Sequence, residues 1–174
     1  MANDTGSVLN AQAFIAANEE WVRDFAWGGL SVRPRRRMAI LTCMDSRYTA
    51  QGVLGVALGD AHVIRNAGGR VTDDAVRSLV LSAHVLDTRG CVVVHHTDCG
   101  LHGTTNQALR ARVTAATGED ASGIDFLPFA DVAESVRDDL SQLRACRLLP
   151  AGYELLGFVY DVATGRLHSV GDGI

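Results

Sequence analysis

The sequence lacks any long hydrophobic run. No apolar stretch approaches the roughly 20 residues that a membrane-spanning helix needs, so we expect no membrane partner. Residues 1–7 contain neither a basic segment nor an apolar one, so we expect no secretory signal peptide. A cytoplasmic protein is therefore predicted. In that compartment the four cysteines are expected to be metal ligands, catalytic thiols or core residues, and not disulfides.

The sequence also lacks an excess of positive charge. Its formal net charge is −4, which argues against nucleic acid as a partner. One basic run, residues 33–37, is short and precedes a predicted strand, so we interpret it as a solvated loop. With 174 residues and 47% hydrophobic content, the chain is long enough for a real core. We predict a single domain over residues 1–174.

Apolar segments of two kinds alternate along the chain. Helical spacing of apolar residues predicts helices over residues 10–27, 48–58, 73–86, 104–117 and 129–143. Continuous apolar runs predict strands over residues 37–42, 61–65, 91–96 and 153–161, with an edge strand over residues 166–170. This alternation predicts an α/β fold with a mostly parallel central β-sheet flanked by helices. The N-terminal helix can pack on its own domain or on a partner subunit, and the sequence leaves both open.

Reactive side chains follow two of the predicted strands where each apolar run ends. The first strand leads into Cys43, Asp45 and Arg47, and the third leads into His96 and Cys99. The carboxyl ends of neighbouring parallel strands are where such folds build their sites. Two thiolates and one imidazole suit zinc, and three protein ligands leave the fourth position open, as in catalytic zinc sites. We therefore predict one zinc ion per chain, held by Cys43, His96 and Cys99.

Asp45 and Arg47 have two interpretations, which are compatible. The simpler one is an ion pair that stabilises the loop after the first strand. In the functional one, Arg47 binds Asp45 in a bidentate manner and keeps it ionised. Asp45 can then accept a hydrogen bond from a zinc-bound hydroxide, or take the fourth zinc position itself in a closed state. The spacing allows both arrangements.

The remaining cysteines and histidines fit ordinary structural roles. Cys91 begins an apolar strand and Cys146 follows a helix, as buried free cysteines often do. Four further side chains could relay protons, although a surface or supporting role is favoured for each: His62, His95, His102 and Asp98.

The two strand ends carry the motifs Cys43-Met44-Asp45-Ser46-Arg47 and His96-Thr97-Asp98-Cys99-Gly100. These motifs, with residues 59–68 between them, resemble the signature segments of the beta-class carbonic anhydrases. The close resemblance covers residues 37–103, and the short chain is most similar to the compact bacterial branch of that family. It implies zinc ligands at Cys43, His96 and Cys99, a catalytic dyad of Asp45 and Arg47, and substrate binding at Gly100.

The resemblance also implies an activity and an assembly. The activity is the reversible hydration of carbon dioxide to bicarbonate and a proton by a zinc-bound hydroxide, which makes the protein a carbonate dehydratase, a lyase. Members of the family are dimers or larger, with active sites at or near subunit interfaces. A homodimer or higher homo-oligomer is therefore expected, which would give the N-terminal helix a partner.

Three other functions are weighed beside this one. A hydrolase for carbon disulfide or carbonyl sulfide could use the same scaffold, because those substrates are also linear cumulenes. A non-catalytic zinc-binding domain would need a fourth ligand, for which Asp45 is the nearby candidate. A redox protein with a disulfide between Cys43 and Cys99 is disfavoured, because a Cys-x-x-Cys motif is missing and His96 lies between them.

Overall fold

The structure, a computed structural model, describes residues 9–171. The expectation about residues 1–7 therefore lies outside the described residues. The chain divides into two compact units, Met1–Ser31 and Val32–Ile174, which are described separately. The single domain over residues 1–174 stays a prediction.

Within residues 9–31, the described part of the first unit, the chain forms one helix, α1, at Ala11–Arg23. Asn10 caps this helix, because its side-chain oxygen accepts a hydrogen bond from the Ala13 backbone N–H at 3.1 Å. No residue of α1 is buried. Its apolar side chains Phe14 and Ile15 are 62% and 59% exposed, so the helix presents an open apolar surface.

The predicted end of this helix is wrong. The helix ends at Arg23, whereas the sequence pattern extends to Trp27. Trp27 instead stacks on Trp21 with ring centroids 5.2 Å apart, and Phe25 packs edge-on against Trp27 at 5.9 Å. Residues six apart on a helix are rotated by roughly 120° about its axis, so a continued helix would separate the two indoles. The aromatic contact therefore replaces the last turn that apolar spacing alone predicts.

The second unit is built on a sheet of five strands. They are β1 (Met38–Cys43), β2 (Ala61–Asn66), β3 (Gly90–His96), β4 (Glu154–Tyr160) and β5 (Leu167–Val170). The order across the sheet is β2-β1-β3-β4-β5. The first four strands pair in parallel, and β5 pairs antiparallel with β4. The predicted mostly parallel sheet is confirmed, with every strand bound within one residue of its prediction.

The helices of this unit begin and end at identifiable caps. They are α2 (Ala50–Leu54), α3 (Asp73–His84), α4 (Asn106–Thr117) and α5 (Val132–Ala145), with a 3-10 turn at Ala67–Gly69. The helix α2 is shorter than the predicted residues 48–58, because Gly55 ends it in a left-handed conformation (φ 60°). The helix α5 begins later than predicted, because Asp131 caps it and Phe129 pairs with His102 in an isolated β-bridge. None of the helices among residues 9–171 combines the length and apolar character needed to cross a membrane.

The main core lies between one face of the sheet and the helices α3 and α5. Its fully buried members include Leu41, Leu79, Val93 and Val136. A Cβ at Gly157 would lie 2.5 Å from Val136 Cγ1, so the glycine lets α5 pack close against β4. A smaller cluster joins β1 to α2 on the opposite face. The expected core role of Cys91 agrees with its burial in the main core, and Cys146 packs against the edge of that core.

Candidate metal centre

The carboxyl ends of β1 and β3 bring the predicted zinc ligands together. The two strands are neighbours in parallel register, with Thr42 opposite Val94. Cys43 ends β1, His96 ends β3, and Cys99 lies in the loop that follows β3. The ligand atoms of Cys43, His96 and Cys99 all lie within 4.8 Å of one another, and all three residues are buried.

The protonation pattern of His96 suits a metal ligand. Its Nδ1 lies 2.8 Å from the carbonyl oxygen of Thr97. Nδ1 therefore carries a hydrogen and donates a hydrogen bond to that oxygen. Its Nε2 is buried and has no hydrogen-bond partner among residues 9–171. An orphaned buried nitrogen is costly unless a ligand binds it, and metal-bound histidines commonly have the other ring nitrogen fixed in this way.

The two thiols complete a donor set that fits zinc. A hydrogen bond from the Cys99 thiol, aided by the neighbouring His96, lowers the pKa of Cys43 to about 4. That interaction and burial together raise the pKa of Cys99 above its usual range. One thiolate is thus already favoured, and zinc favours deprotonation of both, because it binds thiolates. Two sulfurs and a free imidazole nitrogen within this spacing fit a zinc site.

Asp45 is held beside this centre by Arg47. Arg47 Nη2 donates to Asp45 Oδ2 at 2.7 Å, its Nε donates to Oδ1 at 3.0 Å, and its backbone N–H donates to Oδ1 at 2.8 Å. These hydrogen bonds lower the pKa of Asp45 to about 2. Asp45 Oδ2 lies 3.8 Å from His96 Nε2, so the carboxylate borders the space between the ligands. The predicted closed state, with Asp45 as a zinc ligand, stays a prediction.

Asp98 is a second partner of Arg47. Its carboxylate accepts from Arg47 Nη1 at 2.6 Å, and its backbone carbonyl accepts from Arg47 Nη2 at 2.9 Å. Asp98 has a positive φ of 56°, which turns the loop toward Arg47. The arginine therefore connects the two motifs, a role that the sequence analysis missed.

Arg65 and Tyr48 are also absent from the predicted site. Arg65 donates to the carbonyl oxygens of Cys43 at 2.9 Å and Tyr48 at 3.2 Å, and to the carbonyl of Asp45. The Tyr48 ring lies 5.5 Å from the His96 ring, and burial raises the pKa of Tyr48 to about 12. An arginine at the end of the second predicted strand, residues 61–65, was the available sequence signal for Arg65. Tyr48 carried no such signal, because it lies in a short polar loop.

The candidate proton relays have structural partners. His62 Nδ1 lies 2.8 Å from Ser82 Oγ, and His102 Nε2 lies 3.1 Å from the carbonyl oxygen of Ala130. His95 is wholly buried, which excludes the surface half of its prediction. The supporting role stays a prediction.

Gly100 directly follows Cys99 and is exposed. A Cβ placed on Gly100 would meet nothing within 4 Å, so the space next to the ligand is open. Substrate binding at Gly100 stays a prediction.

The fold and the ligand set together define a class of protein. It is an α/β protein with two cysteines and one histidine gathered at the carboxyl edge of a parallel sheet. A family model described as carbonic anhydrase matches residues 38–120. Beta-carbonic anhydrase 1 of Mycobacterium tuberculosis is 38% identical over 159 residues, which cover 90% of this chain and 95% of that protein. The chain belongs to the beta-carbonic anhydrase family.

Two further similarities bear on the function. The crystal structure of a carbonic anhydrase from Streptococcus mutans matches with a TM-score of 0.90 at 46% identity, covering 95% of this chain and 100% of that one. A carbon disulfide hydrolase of Acidianus sp. is 33% identical, covering 76% of each chain. The likeness to these two carbonic anhydrases is therefore closer and more complete than the likeness to this hydrolase.

Proposed function

We propose that this protein is a zinc-dependent carbonic anhydrase, which converts carbon dioxide and water reversibly into bicarbonate and a proton. The observation that carries the proposal is the orphaned, buried Nε2 of His96, grouped with two thiols and bordered by Asp45. Family membership supports the reaction that we assign to this group of residues.

Cys43, His96 and Cys99 would hold the zinc ion in this reaction. Zinc, when bound, supplies Lewis acidity that brings the pKa of a coordinated water from about 16 toward neutrality. The protein contributes buried ligands and a fixed imidazole, because the Thr97 carbonyl orients His96 through Nδ1.

Asp45 and Arg47 are the proposed catalytic pair. Asp45 Oδ2 borders the ligands and can accept a hydrogen bond from the attacking water, which directs the lone pair of that water toward the carbon of carbon dioxide. Arg47 keeps Asp45 ionised and holds both carboxylate oxygens in place. We infer that substrate reaches this pair past Gly100, where the surface is open.

The proposal includes a closed state of the site. Arg47 holds Asp45 in this structure. If that pairing breaks, Asp45 would take the fourth zinc position and exclude water. We expect rising pH to favour the open state, because hydroxide then competes better for zinc. X-ray absorption at the zinc edge at low and high pH tests this, and an unchanged ligand set would rule the switch out.

The experiment for the activity is a stopped-flow carbon dioxide hydration assay on zinc-loaded protein with a measured metal content. We expect about one zinc per chain and rapid hydration. Carbon disulfide is assayed in parallel, because carbon disulfide hydrolases are among the relatives. Hydrolysis of carbon disulfide without carbon dioxide hydration would favour the alternative, and zinc without either activity would indicate a non-catalytic domain.

We further propose a homodimer as the smallest assembly. The apolar face of α1 is open to solvent, with Phe14 62% and Val22 58% exposed. A groove of about 480 Å³ opens over the sheet, and its apolar lining includes Leu156 and Phe158. Exposed apolar surface of this kind usually marks an interface. A fully active monomer in light scattering would contradict the dimer.

We infer a cytoplasmic location from the cysteine chemistry. All four cysteines are free, and the proposed ligands Cys43 and Cys99 must be reduced to bind zinc. Cell fractionation with an antibody against the protein tests the compartment, and recovery outside the cytoplasm would contradict it.

A further inference from the structure

A cluster of charged side chains lies buried behind the metal centre. Asp139, on α5, is 1% exposed, and its Oδ1 lies 3.1 Å from Nη2 of Arg70. Its Oδ2 lies 3.1 Å from Nε2 of His95, which is wholly buried. The reaction described above uses none of these groups. Removing charges from water is expensive, and apolar residues of similar size often stabilise a core equally well, so these charges call for a specific role.

The hydrogen bonds of His95 connect this cluster to the turn after β2. The Nδ1 of His95 lies 2.7 Å from Ser135 Oγ, and its Nε2 lies 3.2 Å from the carbonyl oxygen of Gly69. Nε2 faces the Gly69 carbonyl and the Asp139 carboxylate, which are both acceptors, so this nitrogen carries a proton. Its N–H points to Gly69, while Asp139 Oδ2 has no aligned donor among residues 9–171.

Gly69 in turn contacts the backbone that carries a zinc ligand. A Cβ at Gly69 would lie 2.8 Å from the Cys43 backbone nitrogen and 2.9 Å from the Thr42 carbonyl carbon. The φ of Gly69 is +72°, which also favours glycine. The Ala67–Gly69 turn is therefore pressed directly against the end of β1, and His95 holds the turn there.

This contact lies where the sheet no longer joins the two ligand-bearing strands. The β1–β3 pairing ends at Thr42 and Val94, before Cys43 on one strand and His96 on the other. On its other side, Cys43 pairs with Asn66 of β2, directly before the turn. The turn and His95 thus bridge the strand ends beyond the last paired residues.

We propose that Asp139, together with Arg70, is a positioning residue for the zinc site. The Asp139 carboxylate attracts the Nε2–H group of His95, 3.1 Å away, and His95 in turn holds the Ala67–Gly69 turn. His95 and the turn set the spacing between Cys43 and His96. The proposal rests on the zinc site of the proposed function. It assigns a role in metal affinity to a helix that carries none of the proposed ligands.

The test compares two substitutions at adjacent buried positions of α5. Asp139→Asn keeps the size of the side chain and removes its charge, whereas Leu140→Ala opens a cavity in the main core and removes no polar group. Zinc affinity is measured by competition with a chelator, and the melting temperature of each metal-free variant is measured separately. Visible absorption of the cobalt-substituted proteins reports the ligand geometry.

We expect Asp139→Asn to weaken zinc binding by about 10-fold or more and to change the cobalt spectrum. Leu140→Ala should lower the melting temperature yet keep the wild-type affinity and spectrum. Wild-type affinity in Asp139→Asn, or an equal loss in Leu140→Ala, would overturn the proposal. If Asp139→Asn fails to fold, Ser135→Ala decides, because it removes the Nδ1 partner of His95 and otherwise only a hydrogen bond to the Val132 carbonyl within α5. A weaker zinc affinity in Ser135→Ala supports the proposal, and an unchanged one overturns it.

Zinc binding by the wild-type protein distinguishes a failure of this inference from a failure of the proposed function. If the wild type binds no zinc, the proposed function fails. If the wild type binds zinc and the variants bind it equally well, only the positioning role fails.

Discussion

Both edges of the central sheet carry polar side chains, but these differ in whether each side chain has a hydrogen-bond partner. At the amino edge, His62, Ser82, Thr88 and Tyr153 form one chain of hydrogen bonds with lengths of 2.8, 2.9 and 3.2 Å. Each of these side chains finds its partner within the chain. At the carboxyl edge, His96 Nε2 has no partner among the described residues. The comparison shows that an unsatisfied buried group, rather than polarity as such, marks the functional edge.

The largest effect is expected from removing a proposed zinc ligand at the carboxyl edge. Cys43→Ser should lose most of the bound zinc, because two remaining ligands hold the metal poorly, and hydration should fall to the uncatalysed rate. Cys91→Ser is the matched control, since Cys91 is a buried cysteine that pairs with Ala39 of β1 and lies in the main core. Metal analysis and stopped-flow assays on both variants would check this. Full zinc occupancy in Cys43→Ser would remove that residue from the ligand set.

The next largest effect is expected from substitutions at the same edge that impair catalysis without releasing the metal. Asp45→Asn and Arg47→Ala should keep zinc yet reduce turnover by about 100- to 1,000-fold. Asp45→Asn removes the negative charge that orients the attacking water, and Arg47→Ala removes the group that holds this charge in place. Zinc content and turnover are measured on the same preparations. Near wild-type turnover in either variant would make the pair a structural feature only.

A third substitution interrupts the series of side-chain hydrogen bonds at the amino edge. Thr88 is 3% exposed, and Thr88→Val would leave Ser82 and Tyr153 without a hydroxyl partner. We expect a loss of about 1 to 3 kcal/mol in the free energy of unfolding, with zinc content and turnover unchanged. Urea unfolding of the metal-free protein measures the loss. A change in turnover would mean that the two edges are coupled.

The smallest effect is a pH dependence of stability from Asp45. The bonds from Arg47 lower its pKa in the folded protein to about 2, against a usual value of 3.8. A carboxyl group with a lowered pKa stabilises the fold above its unfolded pKa, and this contribution disappears as the pH falls through the folded pKa. Arg47→Ala should therefore cost more stability at pH 6 than at pH 2 in the metal-free protein. Arg77→Ala is the control, because it removes an exposed guanidinium far from Asp45 in sequence and partnered by Asp74. An equal cost of Arg47→Ala at both pH values would contradict the assignment.

The two amphipathic helices α1 and α5 show how far apolar spacing predicts the fold. The spacing predicted both, and both form. The helix α5 buries Val136, Leu140 and Leu143 against the sheet, whereas α1 buries no residue. Periodicity reports that a helix has an apolar face but carries no information about what covers it. The ends of both helices were mispredicted for a related reason, because caps and aromatic contacts overrode the spacing.

The sequence by itself determined the strands, their mostly parallel arrangement and the predicted ligands Cys43, His96 and Cys99. Those features depend on local pattern, since each apolar run ends where its reactive side chains begin. Only the tertiary structure decided what surrounds these residues. The contacts of Arg65 with Cys43, of Arg47 with Asp98 and of His95 with Ser135 join residues 22, 51 and 40 positions apart. Contacts at such separations arise when strands and helices pack together, and no local pattern encodes which side chains then meet.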